Sequence, residues 1–116
     1  MGKSPSFGDF EDTPDKSDTP LSANVFGLQQ NVPNPFNPVT EIAFAVPDGG
    51  SNVSLRIYDV TGKLVRTLVD GYETAGPQSV SWFGKNDRGE PVASGTYFYQ
   101  LSAPSFFEKK KMLLLK

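Results

Sequence analysis

The 116-residue sequence predicts an all-β fold, a sandwich of about seven antiparallel strands closed without a disulfide. Three observations carry that prediction. Short segments alternate apolar and polar residues with a period of two, as a strand with one buried face requires. Turn-forming clusters of Gly, Pro, Asn and Asp recur at intervals of roughly ten residues. No stretch shows a helical period, and the 11 Gly and 10 Pro favour many turns over long helices.

The elements follow in order. Residues 1–24, MGKSPSFGDFEDTPDKSDTPLSAN, are rich in Ser, Pro, Asp and Thr, and within the first twenty only Phe7 and Phe10 are counted as large and apolar. Such a segment cannot bury enough surface to offset its ordering entropy and reads as an acidic, flexible linker or arm. The folded domain is expected over 25–116, with a first short strand near 28–31. TEIAFAV (40–46) places Ile42, Phe44 and Val46 on one face. Val53, Leu55 and Ile57 do the same in 52–58, as do Val80 and Trp82 in 78–82. LVRTLV (64–69) carries apolar residues on both faces, but its β-branched content suits a strand. In TYFYQLSA (96–103), Tyr97, Tyr99 and Leu101 alternate against Thr96, Phe98 and Gln100, and aromatics on both faces place it centrally in a sheet. The last strand, near 108–115, has two open phases: Met112 and Leu114 inward with Leu113 and Leu115 outward, or the reverse.

Between the strands, PDGG (47–50) supplies the positive-φ tolerance of a tight hairpin. DVTG (59–62) and NDRG (86–89) each place Asp or Asn first and Gly fourth, the preference of a type I turn. DGYETAGP (70–77) reads as the longest interior loop. Strand number and length match an immunoglobulin-like sandwich without the Cys…Trp…Cys pattern, Trp82 and the tyrosines at 97 and 99 supplying the central bulk.

Composition excludes several chemistries. With no Cys and no His, thiol nucleophiles, zinc clusters and Ser-His-Asp arrangements are ruled out. A net charge of −2 offers no broad basic field, so no nucleic-acid partner is expected. No apolar run approaches the roughly 18 residues that span a bilayer, so the chain is not expected to be membrane-spanning. No catalytic residue, cofactor or metal is expected. Asn86, Asp87 and Glu90 are too few oxygens for the six to eight of a calcium site. Asp48, Asp59 and Asp70 read as turn residues beside glycine rather than a carboxylate pair.

Two motifs remain. In NPFNP, Asn34, Pro35, Phe36, Asn37 and Pro38 form an entrance to the domain. Proline fixes φ, removes a donor and restricts its predecessor, so helix is forbidden and Phe36 is held at a stiff corner, plugged into the end of the sandwich. The plain reading is a corner clamp; the functional one is a docking loop. The exit is KKKMLLLK: Lys109, Lys110, Lys111, Met112, Leu113, Leu114, Leu115 and Lys116. The lysines either protect an edge strand from aggregation or serve as a recognition handle.

These segments together carry a family resemblance. LQQNVPNPFNPVTEIAFAVP, VSLRIYDVTGKLVRTLVDGYETAG, SVSWFGKNDRGEPVASGTYFYQL and KKKMLLLK resemble, over about 28–116, the type A C-terminal sorting domain of type IX secretion substrates. The middle portion is also similar to the Ig-like domain of flagellar hook-capping proteins. Phe83 departs from the acidic residue that more often follows the tryptophan. The resemblance implies a non-catalytic C-terminal part of a larger exported precursor, secreted or held at the outer cell surface. Its implied partners are the outer-membrane secretion machinery and, as a further candidate, anionic surface polysaccharide; the isolated domain is expected to be a monomer. The alternatives are an Ig-like assembly module, hook-cap-like or an extracellular polymer subunit, and, on fold analogy alone, a carbohydrate-binding module.

Overall fold

A computed structural model describes residues 25–116; the linker expected over 1–24 lies outside the described residues. Seven strands follow in chain order: β1 (Gly27–Leu28), β2 (Thr40–Val46), β3 (Ser51–Tyr58), β4 (Leu64–Glu73), β5 (Gly76–Trp82), β6 (Gly95–Ala103) and β7 (Phe106–Leu114). They form two antiparallel sheets, one ordered β1-β2-β5 and the other β4-β3-β6-β7. The fold is an Ig-like sandwich whose core lies between the sheets.

The core follows the period-two faces. Ile42, Phe44 and Val46 come from β2, Val53, Leu55 and Ile57 from β3, and Tyr97, Tyr99 and Leu101 from β6; all are buried, as is Trp82 at the end of β5. Val80 faces the same core but is only half buried, because β5 is an edge strand and no described residue covers its far side. Burying a side chain of this size is worth roughly 1.5–3 kcal/mol, so the interior residues dominate stability. The open phase of the last strand resolves with Met112 and Leu114 inward, while Leu113 is half buried on the outer face and Leu115 is exposed.

Several sequence expectations are corrected. The strand expected at 28–31 is confined to Gly27–Leu28 and a single bridge between Val32 and Glu41. Asn31 leaves the ladder because it turns inward to a buried polar network. PDGG is a tight turn, with Gly50 N–H donating to Pro47 C=O at 3.0 Å, but it carries the chain from one sheet to the other instead of joining paired strands. DGYETAGP is mostly strand, since β4 runs to Glu73 and β5 begins at Gly76. Both flanks are edges, where Pro77 and a mixed polar pattern are tolerated. DVTG and NDRG do form turns, with Gly62 N–H on Asp59 C=O and Gly89 N–H on Asn86 C=O.

Candidate functional site

The two sequence motifs at the ends of the domain meet. Phe36 is 2% exposed, and its ring lies 5.6 Å from Trp82, which in turn stands edge-on to Tyr97 at 5.4 Å. Its backbone pairs in parallel with the last strand: Phe36 N–H donates to Leu113 C=O and Leu115 N–H donates to Phe36 C=O, both at 3.0 Å. The amide oxygen of Asn34 accepts Leu113 N–H at 2.9 Å. Three prolines, at 33, 35 and 38, keep this stretch from competing for a helix or a longer ladder, and each follows a cis peptide bond. The motif is therefore a short clasp on the outer edge of β7. Asn37 and Pro38, both exposed, lead away from it toward β2.

A buried polar network stands behind the clasp. Asn31 donates its backbone N–H to the Tyr99 hydroxyl at 2.8 Å and its side-chain amide to Pro33 C=O and Thr40 Oγ1. Thr40 Oγ1 donates to Pro33 C=O, and Tyr99 donates to Gln29 C=O at 2.6 Å. Burial raises the Tyr99 hydroxyl to about 12, although the hydrogen bond from Asn31 opposes the shift. Gln30 completes the set, its amide donating to Asn31 Oδ1 and to Lys111 C=O on β7. Sequence reasoning did not single out Asn31 or Thr40, and an alternation rule treats polar positions as outward. The run QQN just before a proline-rich corner was the available signal.

The lysines do not form one patch. Lys109 and Lys111 are exposed on the outer face, in register with Gln100 and Phe98, and the Lys109 ammonium lies 5.5 Å from the Phe98 ring centre. Lys110 points to the opposite face, 3.3 Å from Glu108. Lys116 N–H is tied to Ser94 Oγ at 3.0 Å, and Leu115 is 49% exposed. The strand thus hides Met112 and Leu114 and presents Lys109, Lys111, Leu115 and Lys116.

The remaining candidates are structural. Asp59 accepts the hydroxyl and N–H of Thr61 and the N–H of Lys63; the Thr61 hydroxyl chiefly lowers its pKa. Asp70 stands in β4, 3.8 Å from Arg56, not in a turn. Asn86 Oδ1 accepts the N–H groups of Arg88 and Glu90, and Asp87 Oδ1 accepts Thr67 N–H, so these oxygens hold backbone and do not converge. Among the described residues no group of three or more acids gathers as a metal site would. Trp82 and Tyr99 are buried and offer no ring to a sugar. Tyr72 is exposed and donates to Gly49 C=O. No helix among the described residues is long and apolar enough to cross a membrane.

Fold and clasp define a class: a disulfide-free Ig-like sandwich whose first loop grips its last strand. The family model described as the FlgD Ig-like domain matches residues 31–105, and the chain belongs to that family. Several solved structures are similar, three of them as follows. Dimeric latent PorU from Porphyromonas gingivalis shares 24% identity at a TM-score of 0.65, over 82% of this chain and 10% of PorU. PorZ, a surface component of the type-IX secretion system of the same organism, shares 23% at 0.53, over 78% of this chain and 12% of PorZ. FlgD from Xanthomonas campestris, a hook-capping protein of flagellar assembly, shares 22% at 0.53, over 80% and 67%. The chain thus spans about a tenth of PorU and PorZ, and at these identities the likeness speaks for the fold. No curated protein matches it.

Proposed function

We propose that this chain is a non-catalytic sorting and anchoring module that directs an attached cargo through a type IX secretion pathway to the cell surface. The observation that carries the reading is the clasp: the NPFNP backbone holds β7 in place, so the strand is presented as part of a folded surface. On that reading the machinery meets Lys109, Lys111, Leu115 and Lys116, while Met112 and Leu114 keep the strand in register from within. Its partners are the outer-membrane secretion machinery and, at the lysines, anionic surface polysaccharide. Residues 1–24 serve as the tether to the cargo, and 25–116 as the sorting domain. Similarity to domains of PorU and PorZ supports the reading at the level of fold.

The test is a periplasmic reporter fused ahead of the whole chain in a host with the type IX machinery. Surface exposure of the reporter to added protease is expected, and reporter retained in the periplasm overturns the proposal. A second reading, an Ig-like structural module of an extracellular assembly, is favoured by the family match itself. It predicts a reporter that stays inside and a chain that assembles at high concentration into species larger than a dimer.

A further inference from the structure

Among the described residues the sandwich has four sheet edges, and three are protected. The end of β7 is clasped by Asn34 and Phe36, Gln30 holds Lys111, and lysines follow along the strand. On β4, Asp87 takes both Val65 C=O and Thr67 N–H, and the rest of the edge carries Asp70 and Glu73. β1 is two residues long. The fourth edge, β5, has no charged residue between Gly76 and Trp82, and its one proline, Pro77, blunts only the start of the strand. Proteins usually blunt an edge with charge, proline or a covering loop, because unpaired backbone groups template another strand.

The direction of those groups can be read from the ladder. Glu41 and Ala43 of β2 bond toward Val32 and Gln29, so Thr40, Ile42 and Phe44 bond toward β5. Their partners Trp82, Val80 and Gln78 face inward across that ladder, which leaves the N–H and C=O of Ser79 and Ser81 directed outward. No described residue pairs with them. Their side chains are already engaged, both hydroxyls donating to the Glu41 carboxylate and chiefly lowering its pKa, so the outer face is settled. Val80 between them is half exposed, and Phe83 just beyond is 56% exposed.

We infer that β5 is a self-association edge whose occupant is a second copy of this chain, paired antiparallel about Val80. In that register Ser79 faces Ser81 of the partner subunit and the reverse, so about four backbone hydrogen bonds form in two closed pairs. The arrangement is self-complementary about a twofold axis, as an isologous contact must be. The paired strands carry no charge of their own, and each copy's Glu41 carboxylate stays on the outer face, bound by its own Ser79 and Ser81. Pro77, which lacks an N–H, ends the ladder. The junction is a single strand wide, well under the 1,200–2,000 Å² of stable complexes, so a weak dimer with Kd of roughly 10⁻⁴–10⁻³ M is expected. This inference rests on the fold alone and stands apart from the sorting role.

Sedimentation equilibrium of the whole chain, from about 20 µM to about 2 mM, should show a monomer–dimer equilibrium in that range. Ser79→Pro removes an outward donor without touching the β2 ladder and should weaken association at least tenfold, with backbone amide spectra confirming the fold. The doubles Ser79→Lys/Ser81→Lys and Ser79→Glu/Ser81→Glu should each be monomeric, while their mixture should form heterodimers. A wild-type chain that stays monomeric throughout overturns the inference. So does a dimer untouched by these changes, or a mixture that fails to associate.

Discussion

Phe36 and Leu114 are joined as parallel strand neighbours, Phe36 taking Leu113 C=O on one side and Leu115 N–H on the other. Both side chains are buried, so one contact links the entrance loop, the last strand and the aromatic stack through Trp82. Phe36→Ala should cost about 3–5 kcal/mol, the range for truncating a buried aromatic. Asn34→Ala removes one acceptor and should cost about 1 kcal/mol, whereas Asn34→Asp keeps an oxygen for Leu113 N–H and should lose less. Urea unfolding followed by the fluorescence of Trp82, the sole tryptophan, measures all three. Equal losses for the two Asn34 variants would show that the oxygen kept in Asn34→Asp does not hold Leu113 N–H.

Tyr99 makes stability depend on alkaline pH. Burial raises its folded-state value to about 12, above the roughly 10 of an unfolded tyrosine. The folded state therefore holds this proton longer, and the contribution is complete below about pH 10. It declines above that pH and is gone once pH passes about 12. Tyr97, raised mainly by burial, acts in the same direction. Tyr99→Phe should flatten much of that alkaline decline. At neutral pH it should cost about 1–3 kcal/mol, because Asn31 N–H and Gln29 C=O lose their buried partner. Denaturant midpoints between pH 7 and about 11.5 test both halves.

The strands and their faces were legible because alternation is a local signal. Ile42, Phe44 and Val46 declare a buried face without reference to any other segment. The phase of Met112–Leu115 was not legible, because lysines and leucines run consecutively there and the phase is set by register with Tyr97 and Tyr99 on β6. The clasp was half legible. Prolines announced a stiff corner and Phe36 a plug, but pairing of Asn34 and Phe36 with Leu113 and Leu115 is a long-range contact that local pattern does not encode. Asn31 was missed because its burial depends on partners contributed by β2 and β6. Asp70 was misread because glycine beside an acid usually marks a turn, whereas an edge strand tolerates both.

Asp87 shields the β4 edge from the side opposite the clasp. Its carboxylate accepts Thr67 N–H and its own N–H donates to Val65 C=O, each at 3.0 Å. Asp87→Ala should expose the Thr67 amide to solvent and cost about 1 kcal/mol, while Asp87→Asn should retain most of the protection. Hydrogen exchange at the Thr67 amide is the readout. Exchange at Thr67 unchanged in Asp87→Ala would mean that the Val65 bond alone closes this edge.

Gly50 tests the crossing between the sheets. It takes φ of +75°, and a Cβ there would collide with the hydroxyl end of Tyr72 and lie 2.8 Å from Glu73 C=O. Gly49 beside it has φ of +93° but open space where its Cβ would stand. Gly49→Ala therefore meets only the backbone penalty, about 1–2 kcal/mol. Gly50→Ala adds a clash with backbone and should lose at least about 1 kcal/mol more, on the scale of overpacking. Adding Tyr72→Ala to Gly50→Ala should recover part of that excess and not all of it, because the side chain can be removed and the Glu73 carbonyl cannot. Thermal midpoints of the two single variants and the double variant decide the point. Equal losses at 49 and 50 would show that β3 and β4 separate freely at this end.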